Sequence, residues 1–175
     1  SPAEFLRASR FCHRTFNGED AIFFFQALRH IYTTRGGLEE VFTRGYREGG
    51  HVAAALVYFR EVFLESGAPL RSRRHVADVR SGSAAKRLNM FLRWMVRDDN
   101  RGVDLGLWKG IPPSALMLPL DLHTGNVSRK LGLLTRQHND WKAVEEVTSH
   151  LRRFDREDPV KYDFALFGLG IYEGF

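Results

Sequence analysis

Apolar side chains recur at helical spacing through the first third of the chain. Asn17 supplies an N-cap for a first helix, and the pair Gly36 and Gly37 ends it. Apolar stripes predict two further helices over residues 38–46 and 51–65. We expect these three helices to pack together in a structural role, because no chemistry-bearing pattern accompanies them.

The second half of the chain shows the same periodicity, interrupted by one long connection. Ser83 is placed to cap a helix that ends at Arg97, and residues 98–113 form a loop rich in Asp, Asn, Gly and Pro. A helix over residues 121–131 follows, with Gly132 as its C-terminal cap.

Two more helices are predicted before the chain ends. Asp140 caps the first of them, and Asp158 with Pro159 opens the second. Residues 160–171 are apolar nearly all round, which predicts a buried helix.

These elements together predict one compact all-α domain over residues 1–175. No alternating strand pattern persists beyond a few residues, and no repeat is present. Residues 69–83 mark a weak internal boundary. The chain begins at Ser1 rather than at a methionine, which is consistent with a fragment or a processed product that lacks an N-terminal part.

Composition narrows the possible classes of protein. The net charge of +5 and the pI of about 9.7 are compatible with nucleic acid, with an anionic membrane surface or with no charged partner. No apolar run reaches the roughly 18 residues of a membrane span. Cys12, the single cysteine, indicates a reducing cytoplasm. The seven histidines show no ligand spacing, so neither a metal nor another cofactor is predicted.

Positive charge is concentrated between residues 71 and 97, where eight Arg and Lys side chains stand against one acid, Asp78. A charge run is usually a solvated face, but this imbalance favours contacts with phosphates. The predicted nucleic-acid-binding residues, two of them from later segments, are Arg73, Arg74, Arg87, Arg93, Arg97, Lys109 and Arg129.

Asp121 can be interpreted in two ways. As an N-cap, it would accept hydrogen bonds from the free amides at the start of a helix. The same position also keeps a carboxylate ionised, so that it can activate a water or stabilise a cationic sugar in a transition state.

The segments LPLDLHT at residues 118–124 and RKLGL at 129–133 resemble the catalytic-aspartate segment of helix-hairpin-helix DNA glycosylases. Proline, aspartate, histidine, arginine and Leu-Gly stay in register over about 15 positions. The wider chain also resembles an uncharacterised bacterial family distantly similar to those glycosylases. This resemblance implies a DNA-glycosylase-like helical fold with Asp121 as the catalytic carboxylate.

The resemblance also implies roles for other side chains. Bifunctional glycosylases use a lysine that forms a Schiff base, and Lys86 precedes Asp121 by a separation similar to that in archaeal 8-oxoguanine glycosylases. His123 would support the start of the helix. Trp108 is a candidate for stacking on a flipped base, whereas Trp94 is expected in the core.

Three functions remain open. The first is a DNA-repair enzyme that cleaves the N-glycosidic bond of a damaged base in double-stranded DNA. The second is a non-catalytic nucleic-acid-binding module, favoured because residues 107–113 read LWKGIPP where the glycosylases carry their phosphate-gripping hairpin. The third is a protein-interaction domain with unknown partners.

Overall fold

The computed structural model describes residues 11–99 and 101–173, and over them the protein is all-α. A two-stranded antiparallel hairpin, β1 and β2, comes first and is followed by seven helices. The strands are β1 (Cys12–His13) and β2 (Phe16–Asn17). The helices are α1 (Gly18–Thr34), α2 (Leu38–Gly49), α3 (Val52–Leu64), α4 (Lys86–Val96), α5 (Leu122–Lys130), α6 (Trp141–Phe154) and α7 (Asp163–Tyr172). Within the described residues, none of these helices is long and apolar enough to cross a membrane.

The first three helices pack around a cluster of phenylalanines. The rings of Phe42 and Phe59 stack with their centroids 4.4 Å apart, and Phe63 packs at 5.4 Å from Phe59. Helices α2 and α3 approach closely at Gly45, where an added Cβ would lie 2.6 Å from the Tyr58 Cβ. The predicted cap of α1 is confirmed, because Asn17 Oδ1 accepts from the amide of Asp20 in a capping box.

Helix α4 begins later than predicted, and the basic segment before it, residues 71–83, forms a loop. Two short 3-10 turns, Ser72–His75 and Val79–Ser81, occupy the basic loop. Ser83 does not cap α4, which begins at Lys86 after Ala85 in a left-handed conformation, with φ of 48°. The Ser83 hydroxyl instead accepts from the amide of Ala85.

The connection over residues 98–113 folds back along the C-terminal end of α4. The amides of Leu105 and Trp108 donate to the carbonyls of Trp94 and Met95 at 2.7 and 2.8 Å. The last carbonyls of a helix lack partners within the helix, so these bonds both complete α4 and fix the loop beside it.

Helix α7 crosses α5 at short range. A Cβ on Gly170 would lie 3.1 Å from the His123 Cβ and 3.2 Å from Val127 Cγ2, so glycine permits the approach. The predicted buried helix over residues 160–171 is partly wrong. Pro159–Tyr162 form a 3-10 turn, and α7 leaves Phe164 50% exposed.

Candidate active site

Asp121 is the N-cap of α5, as the sequence predicts. Its Oδ1 accepts from the amide of Thr124 at 2.9 Å, and its own amide donates to Thr124 Oγ1 at 2.8 Å. The amide group of Asn139 donates to the Asp121 carbonyl at 2.9 Å. These bonds fix the backbone and one carboxylate oxygen, and they leave Oδ2 for another partner.

That partner is Lys86, at the first position of α4. Its Nζ donates to Asp121 Oδ2 at 2.9 Å, although the two residues lie 35 positions apart in sequence. The Lys86 side chain is 44% exposed and that of Asp121 is 14% exposed. The structure therefore brings together the two residues that the resemblance implies as catalytic.

Both side chains line a pocket of about 260 Å³ between α4, α5 and α7. Its apolar lining is Met90, Trp94, Val103, Pro119, Phe164 and Phe167. Its charged lining is Lys86, Arg93, Asp121 and Asp163. The prediction that Trp94 lies in the core is wrong, because its side chain is 42% exposed at this pocket. The pocket thus offers ring-sized apolar surfaces next to an amine and a carboxylate.

Arg93 forms the charged inner wall of the pocket and is 1% exposed. Its guanidinium donates to Asp104 Oδ2 at 3.2 Å from two nitrogens, and to Asp163 from the third. The guanidinium carbon also lies 4.1 Å from the centre of the Phe164 ring. The prediction that Arg93 binds nucleic acid is corrected, because a side chain buried among carboxylates cannot reach a phosphate.

Arg97 extends the same network away from the pocket. It donates to Asp99 at 3.0 Å, to Asp104 at 2.6 Å and to Asp158 at 2.9 Å. Asp158 makes this contact instead of the predicted helix-capping bond. The phosphate-binding role predicted for Arg97 is corrected as well, since three carboxylates already surround its charge.

Arg129 supports Asp121 through a neighbouring loop. Its guanidinium donates to the carbonyls of Arg136 and Gln137 and, at 2.6 Å, to Asn139 Oδ1. Asn139 is the residue that holds the Asp121 carbonyl, so Arg129 positions the end of this loop. A nucleic-acid contact of Arg129 stays a prediction.

The other predicted residues lie outside the pocket lining. Trp108 is buried against Phe42 and Phe91, with ring centroids 5.7 and 5.3 Å away, which corrects its predicted role in stacking on a base. His123 packs edge-on against Phe167 at 6.0 Å, and Thr124 rather than His123 secures the start of α5.

Four of the predicted phosphate contacts lie on the surface. Arg73, Arg74, Arg87 and Lys109 are exposed. Arg74 donates to the carbonyl of Thr15 in the hairpin at 3.3 Å. Across the parts of the chain that the structure describes, no three His, Cys, Asp or Glu side chains are grouped to hold a metal.

Two carboxyl groups in the pocket have opposite pKa shifts. Burial raises the pKa of Asp121, but hydrogen bonds from Lys86 and from the Thr124 amide outweigh it and hold the pKa below its ordinary value. Burial raises the pKa of Asp163 to about 6, although Arg93 opposes the shift. The Asp121 carboxyl is therefore ionised at neutral pH, and the Asp163 carboxyl has a pKa of about 6.

Asp163 should make folding stability depend on pH. A carboxyl with a raised pKa in the folded state stabilises the fold below its unfolded pKa, and that stabilisation is lost as the pH rises through about 6. From pH 4 to pH 7 the wild type should lose about 2 kcal/mol of unfolding free energy relative to Asp163→Asn. Urea denaturation across this range measures the difference, and parallel profiles for the two proteins would contradict it.

Sequence reasoning missed Asp163, Phe164 and Phe167. The signal was present, because an aspartate inside the apolar run from 159 to 171 is expensive to bury without a partner. The partner, Arg93, lies 70 positions away and could not be identified from spacing.

The fold and the pocket define a helical protein with a lysine–aspartate pair beside an aromatic cavity. One family profile, described as a protein of unknown function (DUF2400), matches residues 1–172. The chain therefore belongs to the DUF2400 family. Neither the curated proteins nor the solved structures with which the chain was compared contain a match.

Proposed function

We propose that this protein is a DNA glycosylase of the base-excision type with lyase activity, acting on a damaged base in double-stranded DNA. The observation that carries the proposal is the 2.9 Å contact between Lys86 Nζ and Asp121 Oδ2 at an aromatic-lined pocket. A half-exposed amine next to a carboxylate that stays ionised is the pair such chemistry needs.

The pocket suits one flat ring system. Its volume of about 260 Å³ is below the usual range for drug-sized ligands, roughly 300–1,000 Å³. Phe164, Phe167 and Trp94 supply faces on which a base can stack. An enzyme that acts on a base within a duplex must first turn it out of the helix, at a cost of a few kcal/mol. Stacking in the pocket offsets that cost.

The lysine and the aspartate would divide the reaction between them. The Lys86 ammonium first gives up a proton to water, and the neutral amine then attacks the sugar C1′ as the bond from C1′ to the base nitrogen breaks. The base leaves with the bonding pair and takes up a proton from water. Asp121 stabilises the positive charge that develops on the sugar. Opening of the sugar ring then leaves a Schiff base between Lys86 and C1′.

Exposed cations would hold the duplex. Arg73, Arg74, Arg87 and Lys109 remain available for phosphate contacts, which position a protein on DNA without reading its sequence. The proposal places the protein in a reducing cytoplasm, where an exposed thiol such as Cys12 stays reduced.

Borohydride trapping tests this proposal. Duplexes that carry 8-oxoguanine, uracil or an abasic site are incubated with the protein and reduced, which converts a Schiff base into a stable covalent adduct. We expect an adduct with the wild type and none with Lys86→Gln. Lys142→Gln is the matched control, because Lys142 is an exposed lysine on α6 that neither lines the pocket nor belongs to the proposed phosphate contacts, so it should leave trapping unchanged.

A non-catalytic nucleic-acid-binding module is the second candidate. The absence of the phosphate-gripping hairpin at residues 107–113 favours it, and so does the Lys86 amine being already engaged by Asp121. Duplex binding that weakens with salt, together with no trapped adduct on any of the three duplexes, would support this candidate over the enzyme.

A further inference from the structure

A second cavity, of about 430 Å³, shares no lining residue with the lysine–aspartate pocket. It lies between the turn from α2 to α3, the segment 114–117 and helix α6. Its polar lining comes from all three places and includes Tyr46, His51, Ser114, Glu145 and Arg152. Nothing in the proposed glycosylase chemistry uses these side chains.

Arg152 is a half-buried cation that no carboxylate neutralises. Its Nε and Nη2 donate to the carbonyls of Ser114, Ala115 and Leu116, each at 3.2 Å. Among the described residues, Nη1 has no hydrogen-bond partner, and no carboxylate lies within 4 Å of the guanidinium. Arg93 and Arg97 differ from Arg152 in this respect. Two carboxylates contact Arg93, and three contact Arg97.

Three more hydrogen-bond donors of this cavity have no partner among the residues that the structure describes. His51 Nδ1 accepts from the amide of Ala54 at 3.1 Å, so a neutral His51 ring carries its proton on Nε2. The hydroxyl groups of Tyr46 and Ser114 make no hydrogen bond to any residue that the structure describes. The Tyr46 side chain also lies near Arg152.

One acid, Glu145, lines the same cavity. Its Oε1 accepts from the indole of Trp141 at 2.8 Å. Arg152 follows Glu145 by seven positions on α6. This spacing places the two residues on the same face, about 10 Å apart along the helix axis. Arg152 therefore lies beside Ser114 and Tyr46, and the acid of the cavity is about two helical turns away from it along α6.

We propose that this cavity binds a phosphate group. Arg152 supplies the charge, and Tyr46, His51 and Ser114 supply further donors from three separate elements. A tetrahedral oxyanion with several acceptor oxygens can use donors spread in this way, and arginine is a common partner for phosphate. The group can belong to a small phosphate monoester or to a nucleic-acid backbone, and the site stands whether or not the protein is a glycosylase.

Thermal melting of the full chain in inorganic phosphate tests the site, with chloride at equal ionic strength as the reference. We expect a saturable rise in melting temperature that is specific to phosphate. Tyr46→Phe and His51→Asn should each weaken phosphate binding roughly tenfold, as expected for one hydrogen bond to a charged group. Asparagine preserves the helix cap at residue 51, so this variant keeps the fold.

Glu145→Gln should change the phosphate affinity in the opposite direction. It removes the only acid of the cavity lining while keeping an acceptor for Trp141, so it should strengthen phosphate binding several-fold. Equal melting temperatures in phosphate and chloride, or a phosphate effect that none of the three variants changes, would overturn the proposal.

Two arms distinguish the source of the phosphate. A small monoester predicts binding of a 5′-phosphorylated mononucleotide and unchanged duplex affinity in Tyr46→Phe. A backbone phosphate predicts weaker duplex binding in Tyr46→Phe and competition between inorganic phosphate and the duplex. Either result supports the site. If neither the mononucleotide nor the duplex binds there, the proposal is overturned.

Discussion

Replacing Arg93 with methionine is expected to lower the free energy of unfolding by about 3–5 kcal/mol, the usual cost of removing one partner from a buried ion pair. Arg93 is 1% exposed and is the residue that joins Asp104 to Asp163. Without it, Asp163 loses its ion-pair partner and must take up a proton or stay charged in an apolar setting, whereas Asp104 keeps its contact with Arg97 at 2.6 Å. The lost contact with the Phe164 ring adds to the cost.

Urea denaturation measures this effect against a matched variant. Arg87→Met changes the same residue type on the exposed side of α4 and should shift the unfolding free energy by no more than about 0.5 kcal/mol. Adding Asp163→Asn to Arg93→Met should recover part of the loss, because the carboxylate that the first substitution leaves without a partner is removed. A loss below 1 kcal/mol for Arg93→Met, or no recovery in the double variant, would contradict the burial of this network.

The features that the sequence predicts correctly are those set by neighbours in the chain. Asn17, Asp121 and Asp140 each cap the helix that follows them, because a capping bond joins residues only three positions apart. Gly132 follows the end of α5 with a φ of +71°, which is the conformation that glycine adopts without strain. Such local signals also predict the all-α class.

The features that the sequence misses depend on distant partners. The apolar stripe of α4 places Arg93 beside Met90 and Arg97 on what looks like a solvated side. The face is buried because Asp104 and Asp163 arrive from a loop and from α7 to neutralise the charge. No periodicity within α4 can reveal a partner 70 residues away.

The sequence predicts the pairing of Lys86 with Asp121 only in part. Each residue was selected because of a resemblance between segments, and spacing alone gave no reason to join them over 35 positions. Lys109, which is nearer to Asp121 in sequence, is exposed in the loop that follows α4 and lies outside the pocket lining. Phe164 and Phe167 supply aromatic surfaces to the pocket. The sequence instead predicts that they lie in a buried helix.

Asp121→Asn is expected to lower the rate of base removal by a factor of roughly 10² to 10⁴, on any duplex that gives a trapped adduct with the wild type. Asparagine has the same shape and is an equally good N-cap, so the bond to the Thr124 amide and the start of α5 should persist. What disappears is the negative charge 2.9 Å from Lys86 Nζ. The ion pair is partly exposed, so its loss should cost at most about 1 kcal/mol of stability.

Asp140→Asn is the matched control for this prediction. Asp140 caps α6 through the amide of Ala143 and pairs with Arg136, so it has the same two kinds of contact as Asp121. It does not line the lysine–aspartate pocket. Single-turnover cleavage, measured beside the melting temperature of each variant, separates loss of a charge at the reacting sugar from loss of a cap. Equal rates for Asp121→Asn and the wild type would exclude Asp121 from the chemistry, and an equal loss in Asp140→Asn would attribute the effect to folding.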